Sequence, residues 1–263
     1  MNKKDIAIVI PIYLSSLSED EKRSIEQCLK LLFEYSIVVI KPKHLEIDDI
    51  IQKYKLSQVE VFPDECFSSL RAYNKTVLTE EFYTRFQNYA YMLIYQLDAY
   101  VFKDELLEWA TKGYDYIGAP WLPYKKRYLT AFGRCNLFVQ RLFCKLFTKQ
   151  KLKKRLKYYA YHIGNGGFSL RRISKMIEVT RIYKKKIDFY MADDKPFYPE
   201  DLFLHLELSF NHRLHTPKFK EALKFSMEMN PEWGFHYNHN ELPFGCHAWS
   251  HKDYAPFWKS IIK

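Results

Sequence analysis

Carboxylate and imidazole side chains stand out at three places in this chain. The first is Asp98, which interrupts the apolar run YMLIYQLDAYVF from residue 91 to residue 102. An ionised carboxylate in an apolar strand is costly unless it is paired or bound to a metal. Mg²⁺ and Mn²⁺ bind carboxylate and phosphate oxygens together. Asp98 therefore predicts an anchor for a metal and a diphosphate, and the alternative is a strand-end carboxylate that caps a neighbouring helix.

The second place is the acid pair Glu200-Asp201, and the third is His247 in the string FGCHAW. The acid pair suits a general base that takes a proton from an attacking hydroxyl, which contributes about 10²–10⁴-fold in rate. It suits equally well a cap of the apolar helical run that follows it. A histidine beside a glycine bend suits a metal ligand, and a packed or surface histidine is the alternative. His236 and His239 have the spacing of a zinc pair, but no third ligand has firm spacing.

Glycine and proline mark two further places where a ligand could approach the backbone. Three of the eight glycines fall within residues 164–167 (GNGG), where they permit positive φ and close backbone approach. A simple hairpin turn is the alternative, because Asn-Gly is the strongest short hairpin signal. Pro11–Tyr13 ends the first apolar run, and ligands of open parallel sheets bind beyond the strand ends. Here the alternative is a strand terminator with a packed tyrosine.

Alternating strands and helices must position these residues. The β-branched run 6–12 predicts a strand buried on both faces, and Ser18 predicts the start of a helix that reaches residue 35. Further strands are predicted at 37–40, 59–62 and 91–102 (broken at Asp98), residues 161–170 are predicted to be a glycine turn that leads into a strand, and further helices are predicted at 47–54, 68–88 and 172–186. This order favours an α/β fold with a mainly parallel sheet flanked by helices and right-handed crossovers. We expect a single domain over residues 1–263.

Positive charge is concentrated in one part of the chain. Residues 116–177 contain 15 Lys and Arg and no Asp or Glu, and because the whole chain carries +10, the rest carries −5. Such a segment usually faces an anion: phosphate, nucleic acid or lipid headgroups.

Helical spacing gives this basic segment, residues 124–157, two faces. The basic face would carry Arg134, Arg141, Lys145 and Lys149, with Phe138 on the same side. The apolar face would carry Val139, Leu142, Phe143, Leu146 and Phe147. A basic amphipathic helix with exposed aromatic residues suits the surface of an anionic membrane. The alternative is a helix packed on the body with a solvated basic face.

Composition excludes several classes of protein. A hydrophobic fraction of 48% excludes a disordered chain, and five cysteines without a C-x-x-C pair indicate neither a zinc knuckle nor a disulfide framework. The apolar run at the N-terminus is short, contains Pro11 and lacks a small-residue cleavage site, unlike a signal peptide. No apolar run approaches the roughly 20 residues of a membrane span. We expect a cytoplasmic protein, peripheral on the inner face of the cell membrane.

The order of these motifs resembles nucleotide-sugar glycosyltransferases of the GT-A fold. The strings YQLDAYVF, YDYIGAPW, GNGGFSLR, PEDLF and FGCHAW are similar to a bacterial domain family of unknown function, assigned to GT-A-like transferases and associated with surface-polysaccharide gene clusters. The resemblance covers roughly residues 5–260. It implies a Rossmann-type sheet with a nucleotide-sugar-binding half at 1–121 and an acceptor half at 122–263.

The resemblance also implies roles for individual residues. On the donor side, Pro11 and Tyr13 would border the nucleotide base, and Asn74 would lie near the ribose or diphosphate. Asp98 matches one position of the DxD metal motif, in the string Gln96-x-Asp98 or Asp98-x-Tyr100, so only one of the two carboxylates of that motif is present. Gly166 and Gly167 would lie under the donor sugar and acceptor. His247 would be the C-terminal metal ligand, and Asp201, beside Glu200, would be the catalytic base.

The activity implied is a metal-dependent hexosyltransferase that uses Mn²⁺ or Mg²⁺. A sugar would pass with inversion from a nucleoside diphosphate to a hydroxyl of a glycan or lipid-linked acceptor, in bacterial surface-polysaccharide synthesis. Three alternatives are a nucleic-acid-binding protein, a histidine-rich metallohydrolase and a non-catalytic GT-A-like scaffold. No nucleic-acid partner is expected, because the charge is confined to one segment and no DNA- or RNA-binding motif occurs.

Overall fold

A six-stranded sheet with helices on both faces forms the body of the protein. The computed structural model describes residues 1–123, 130–147, 160–209 and 211–263. The strands are β1 (Ile6–Pro11), β2 (Ser36–Pro42), β3 (Gln58–Phe62), β4 (Tyr91–Tyr95), β5 (Tyr100–Val101), β6 (Tyr116–Ile117), β7 (Phe168–Arg172), β8 (Ser226–Met227) and β9 (Gly245–Cys246). The first helices are α1 (Glu19–Leu32), α2 (Asp48–Tyr54), α3 (Leu70–Thr76), α4 (Glu80–Thr84), α5 (Leu106–Thr111) and α6 (Ala131–Phe147). The later helices are α7 (Ile173–Ile182), α8 (Lys184–Met191), α9 (Glu200–Phe203) with its π-helical continuation Leu204–Ser209, α10 (Phe219–Phe225), α11 (Pro231–Tyr237) and α12 (Ala255–Trp258).

The main sheet has the strand order β3-β2-β1-β4-β7-β6. Strands β1 to β4 are parallel, as the alternation of strands and helices predicts. Strand β7 runs antiparallel to both β4 and β6, so the sheet is mainly but not wholly parallel. Three two-residue strands form a second sheet in the order β5-β9-β8.

Strand β1 shows why the sheet lies at the centre. All six of its residues are buried. Ile8 and Ile10 pack into the hydrophobic core on one face of the sheet, and Ala7 and Val9 pack into the core on the other. Successive side chains of a strand point to opposite faces, so a continuous apolar run suits a strand covered on both sides.

Three predicted elements are divided in the structure. The helix predicted over 68–88 is two helices, α3 and α4, because the Thr79 side chain accepts a hydrogen bond from the Phe82 backbone amide and caps a new helix. The helix predicted over 172–186 ends at Ile182, and α8 begins two residues later. The strand predicted over 91–102 is β4 and β5, which belong to different sheets. The chain turns between them, where the Ala99 amide donates to the Gln96 carbonyl oxygen at 2.8 Å.

Helix α6 lies within the predicted basic segment. Gly133 and Leu137 face the body, and Leu137 packs with Ala160. Phe132, Phe138 and Val139 are 82%, 66% and 51% exposed. Val139 belongs to the face predicted to be apolar, so the described part of that face points away from the body. The rest of the predicted segment, residues 124–129 and 148–157, lies outside the described residues, as do the side chains of residues 140–147. No helix in the described ranges is long and apolar enough to cross a membrane.

Candidate active site

The register of two strand ladders brings the predicted metal residues together. In the main sheet, Tyr95 at the end of β4 lies opposite Phe168 at the start of β7. The next pair is Gln96 and Gly167, whose backbone hydrogen bond runs from the Gln96 amide to the Gly167 carbonyl oxygen at 2.8 Å. The glycine turn therefore lies directly beside the first residue of the Gln96-x-Asp98 string.

The second ladder brings in the C-terminal histidine. Strand β5 pairs with β9, and β9 pairs with β8, with Cys246 opposite both Tyr100 and Met227. His247 and Glu228 follow these strands directly, and Asp98 precedes β5 by two residues. The Trp249 amide donates to the Asp98 carbonyl oxygen at 3.1 Å and holds the two segments together.

The His247 imidazole lies at the centre of this cluster. Its Nε2 atom is 3.1 Å from Asp98 Oδ1 and 3.3 Å from Gln96 Oε1. Its Nδ1 atom is 3.5 Å from Glu228 Oε1. Burial lowers the pKa of His247, but the charges of Asp98 and Glu228 outweigh burial and raise it well above its ordinary value. For Asp98 the signs are reversed: burial raises its pKa, but the neighbouring His247 lowers it by more, so that the pKa of Asp98 is below its ordinary value.

These residues fit a hard divalent cation. Asp98 Oδ1 and Gln96 Oε1 both lie within 3.3 Å of His247 Nε2, and oxygen ligands with one imidazole suit Mn²⁺ or Mg²⁺. Among the described residues no three His, Cys, Asp or Glu side chains form a metal cluster. Gln96, Asp98 and His247 together therefore offer one carboxylate, one imidazole and one amide oxygen.

The two adjacent glycines of the turn separate this cluster from the acid pair. A Cβ atom on Gly167 would lie 2.0 Å from His247 Nε2 and 2.6 Å from Gln96 Oε1. A Cβ atom on Gly166 would lie 2.2 Å from Glu200 Oε1. Both distances are shorter than ordinary Cβ contacts, so a side chain at either position would require the His247 or Glu200 side chain to move. The turn leads into β7, whose partners are β4 and β6, and it does not close a hairpin between neighbouring strands.

Asp201 lies on the Glu200 side of this turn. Its Oδ2 atom accepts a hydrogen bond from the Asn165 amide at 2.9 Å, and its Oδ1 atom accepts one from the Leu202 amide at 2.7 Å. Asn165 has a left-handed φ of 68°, and its own Oδ1 accepts from the Gly167 amide at 3.0 Å. Burial and the neighbouring Glu200 raise the pKa of Asp201 from 3.8 to about 7. A carboxyl group in this state can accept a proton near neutral pH.

Glu200 is engaged in a buried ion pair. Its Oε1 atom is 2.5 Å from Nη2 of Arg171, and the two side chains are only 7% and 1% exposed. Arg171 also receives support from Tyr83, whose hydroxyl oxygen accepts at 2.9 Å. Asn74 accepts a hydrogen bond from the Glu200 amide at 2.7 Å and donates to the Leu70 carbonyl oxygen. Both polar atoms of the Asn74 side chain are thus hydrogen-bonded, and its oxygen holds the backbone of Glu200 in place.

The predicted base-binding residues line a small cleft at the carboxyl ends of β1 and β4. Pro11, Tyr13, Gln96 and Asp98 line this cleft, whose volume is about 120 Å³. Tyr13 is exposed. The structure does not place Asn74 in the lining of this cleft.

Three residues that the sequence analysis did not select contact the site: Glu228, Arg171 and Asn165. Glu228 carries no local signal, because it follows a strand of only two residues. Of the three, Arg171 has the same kind of local signal as Asp98, because it is a charged residue in an apolar strand. Asn165 lies inside the string that was selected, but its contact with Asp201 spans 36 residues.

Residues 56–247 match a family described as a protein of unknown function, DUF5672. The chain belongs to this family. No curated protein sequence matches it.

Solved structures of glycosyltransferases resemble the whole fold. A structure of galactosyltransferase LgtC in complex with donor and acceptor sugar analogues has a TM-score of 0.53 and 12% identity, covering 98% of this chain and 96% of that one. Mouse xyloside xylosyltransferase 1 has a TM-score of 0.52 and 11% identity, covering 92% and 96%. Core-mannan synthase A from Aspergillus fumigatus, in its Mn/GDP form, has a TM-score of 0.51 and 10% identity, covering 83% and 73%. The DUF5672 chain therefore has the GT-A fold predicted from its motifs.

Proposed function

We propose that this DUF5672 protein is a hexosyltransferase that moves a sugar from a nucleoside diphosphate to a hydroxyl of a glycan or lipid-linked acceptor. One observation carries the proposal. The side chains of Gln96 and His247 lie on one side of the Gly166-Gly167 turn, and the acid pair Glu200-Asp201 lies on the other. The fold supports the same activity, and the resemblance of the motifs supports a role in bacterial surface-polysaccharide synthesis.

Gln96, Asp98 and His247 would hold Mn²⁺ or Mg²⁺ together with the donor diphosphate. The bound cation would neutralise the charge that develops on the departing diphosphate. Because Asp98 is the one carboxylate among these three side chains, the diphosphate oxygens would complete the ligand set. Pro11 and Tyr13 would flank the base from the 120 Å³ cleft. The Mn/GDP form of core-mannan synthase A supports a nucleoside diphosphate and a metal in this fold.

Asp201 would act as the general base. The acceptor hydroxyl gives its proton to the Asp201 carboxylate while its oxygen forms a bond to the anomeric carbon. The bond between that carbon and the diphosphate oxygen breaks in the same step. Because attack comes from the face opposite the leaving group, the anomeric configuration inverts. The amides of Asn165 and Leu202 hold the carboxylate in place, and its pKa of about 7 suits proton transfer at neutral pH.

A panel of nucleotide sugars tests the activity. Binding is measured by thermal shift with Mn²⁺, with Mg²⁺ and with EDTA, since a ligand that binds only the folded state raises apparent stability. We expect one nucleoside diphosphate to stabilise the protein only with metal, and Asp98→Ala to abolish the shift. Asp201→Asn should keep the shift but lose about 100-fold or more in transfer rate. Asp188→Asn, on the exposed side of α8, is the matched control and should change neither.

Two results would contradict this proposal. Stabilisation by nucleotides that is equal in wild type and Asp98→Ala would remove the donor site from this cluster. Transfer by Asp201→Asn at the wild-type rate would remove the base. The anomeric configuration of the product, read by proton NMR, decides between inversion and retention independently of both variants.

We further propose that α6 docks the enzyme on an anionic membrane beside a lipid-linked acceptor. Phe132, Phe138 and Val139 are exposed on this helix, within a stretch of the chain that has 15 Lys and Arg and no acid. Exposed aromatic and aliphatic side chains insert at the headgroup boundary, and each nearby Lys or Arg adds about 1 kcal/mol on an anionic surface.

A further inference from the structure

A second cleft, distinct from the one beside Tyr13, has a volume of about 890 Å³. It shares two segments with the acid pair. Ile163 lies in its wall and precedes Asn165 by two residues, and His205 lies in its wall one helical turn after Asp201. None of the residues that would hold the cation lines it. The cleft therefore adjoins the proposed base and not the proposed donor diphosphate.

Six side chains in the described lining of this cleft carry nitrogen atoms that can donate hydrogen bonds. The side chains concerned are His162, His205, His212, Arg213, His215 and Lys218. Arg213 and Lys218 are exposed and carry fixed positive charges. An imidazole carries at least one N–H donor in either protonation state, so a histidine whose N–H is free can donate to an oxyanion; in His215 the Nδ1 atom already lies 3.2 Å from the Gly113 carbonyl oxygen.

Asp115 is the acidic residue of the described lining, and its carboxylate already has partners. Its Oδ2 atom accepts a hydrogen bond from the His215 amide at 2.8 Å, and its Oδ1 atom lies 3.4 Å from Nε of Arg172. Asp115 thus anchors the loop that carries His215, and Arg172 offsets its charge. The remaining charges of the described lining are positive.

The aromatic walls leave room for a sugar beside the charge. The rings of His162 and His205 are 4.4 Å apart, and Trp121 packs edge-on against His205. Tyr161 packs against Phe219 at 5.0 Å on another wall. Flat rings with N–H groups at their edges suit a polar ligand with an apolar ring face, and a volume of about 890 Å³ lies in the range of small-molecule sites.

We infer that this cleft binds the acceptor and that the acceptor carries an oxyanion, a phosphate or a carboxylate, that pairs with Arg213 and Lys218. This inference rests on the proposed glycosyl transfer, because it assigns the acceptor side of that reaction. A bidentate pair with Arg213 would orient the anion. The acceptor hydroxyl would then extend along the wall formed by Ile163 toward Asp201.

The test uses the full-length protein with isotope-labelled histidines. The His212 and His215 ring signals, assigned from single His→Gln variants, are followed by NMR during titration with glucose 6-phosphate, glucuronate and glucose. We expect saturable shifts with at least one of the two anionic sugars and none with glucose. Whichever anion binds names the phosphate or carboxylate class of the acceptor. Shifts of equal size with glucose, or no saturable shift with any of the three, would overturn the inference.

A matched pair of double variants locates the binding. Arg213→Ala/Lys218→Ala should weaken binding at least 10-fold. Lys220→Ala/Lys224→Ala removes the same charge from the exposed side of α10 and should leave binding unchanged. Equal weakening in both would show a general charge effect, and a response confined to His247 would show that the anion binds the donor cluster. Either result overturns the inference.

The same spectra separate this inference from the proposed function. Mn²⁺ with a nucleoside diphosphate should broaden the His247 signal, and failure of that broadening counts against the donor site alone. Binding of anionic sugars at His212 and His215 does not depend on that result.

Discussion

Replacement of Arg171 by methionine measures how far one buried ion pair holds the acid pair in place. The Arg171 and Glu200 side chains are 1% and 7% exposed and lie 2.5 Å apart. Arg171 also donates to the Gly166 carbonyl oxygen at 3.2 Å, so the same side chain contacts the glycine turn. Methionine keeps most of the volume and removes the charge and all the donors.

The expected cost follows from what the substitution leaves behind. Glu200 would stay buried without a cation, and removal of one partner of a buried pair costs about 3–5 kcal/mol. That is a large share of the ~5–15 kcal/mol by which native domains are stable. The double variant Arg171→Met/Glu200→Gln removes the orphaned charge as well and should recover part of the loss, since an uncharged replacement of a buried pair is often tolerated.

Urea unfolding followed by far-UV circular dichroism measures these differences. The control is Arg181→Met, which removes an ion pair with Glu80 of similar length, 2.6 Å, whose side chains are 66% and 41% exposed. Because solvent screens exposed pairs, the control should leave the unfolding midpoint unchanged within error. A cost below about 1 kcal/mol for Arg171→Met would refute the reasoning, as would a double variant no more stable than the single one.

Four further predictions concern the site and the surface. The pKa of Asp201 is raised from 3.8 to about 7. The transfer rate should therefore rise as the pH increases through 7, and the free energy of unfolding should fall as the pH increases from about 4 to 7. A pH series on Asp201→Asn, which should lack both changes, checks this. Gly167→Ala places a methyl group 2.0 Å from His247 Nε2 and should abolish Mn²⁺ binding in calorimetry, whereas Gly234→Ala, whose Cβ would meet flexible Met227 atoms at 3.1 Å, should not. Glu228→Gln should weaken Mn²⁺ binding about 10–100-fold, the usual effect of losing a partner that orients a metal ligand, and unchanged affinity would exclude this role. Phe132→Ser/Phe138→Ser should reduce sedimentation with anionic liposomes more than with neutral ones, and equal partitioning of wild type to both would contradict membrane docking.

The parallel part of the sheet was predictable because its strands are buried on both faces. In a continuous apolar run such as Ile6–Pro11 both faces of the strand are apolar, so both must be covered, as they are in the middle of a parallel sheet. The helix breaks after Thr76 and Ile182 were not predicted. The first break follows from the Thr79 cap, because a capping residue inside a helical pattern competes with continuation of the helix. The strand after the glycine turn was predicted but the antiparallel direction of β7 was not, because strand direction depends on the path of the chain and not on local composition.

Some residues of the candidate site could likewise be predicted from local sequence patterns, and others could not because strand register places them. Asp98, Asp201, His247 and the glycine turn are visible in the sequence because each breaks a local pattern. Asn74 was expected beside the donor, and the structure shows its amide bound to Glu200 and Leu70. Glu228 had no signal at all, because its place is set by a two-residue strand.

The amino-acid sequence by itself determined the chemistry available to this protein: one carboxylate in an apolar strand, an acid pair, a late histidine and a basic segment. Only the tertiary structure decided which of these meet. Asp98, His247 and Glu228 converge because β9 lies between β5 and β8, and Asp201 comes beside the glycine turn through one backbone amide, that of Asn165. Contacts between residues more than a hundred positions apart depend on strand register, which composition and spacing do not encode.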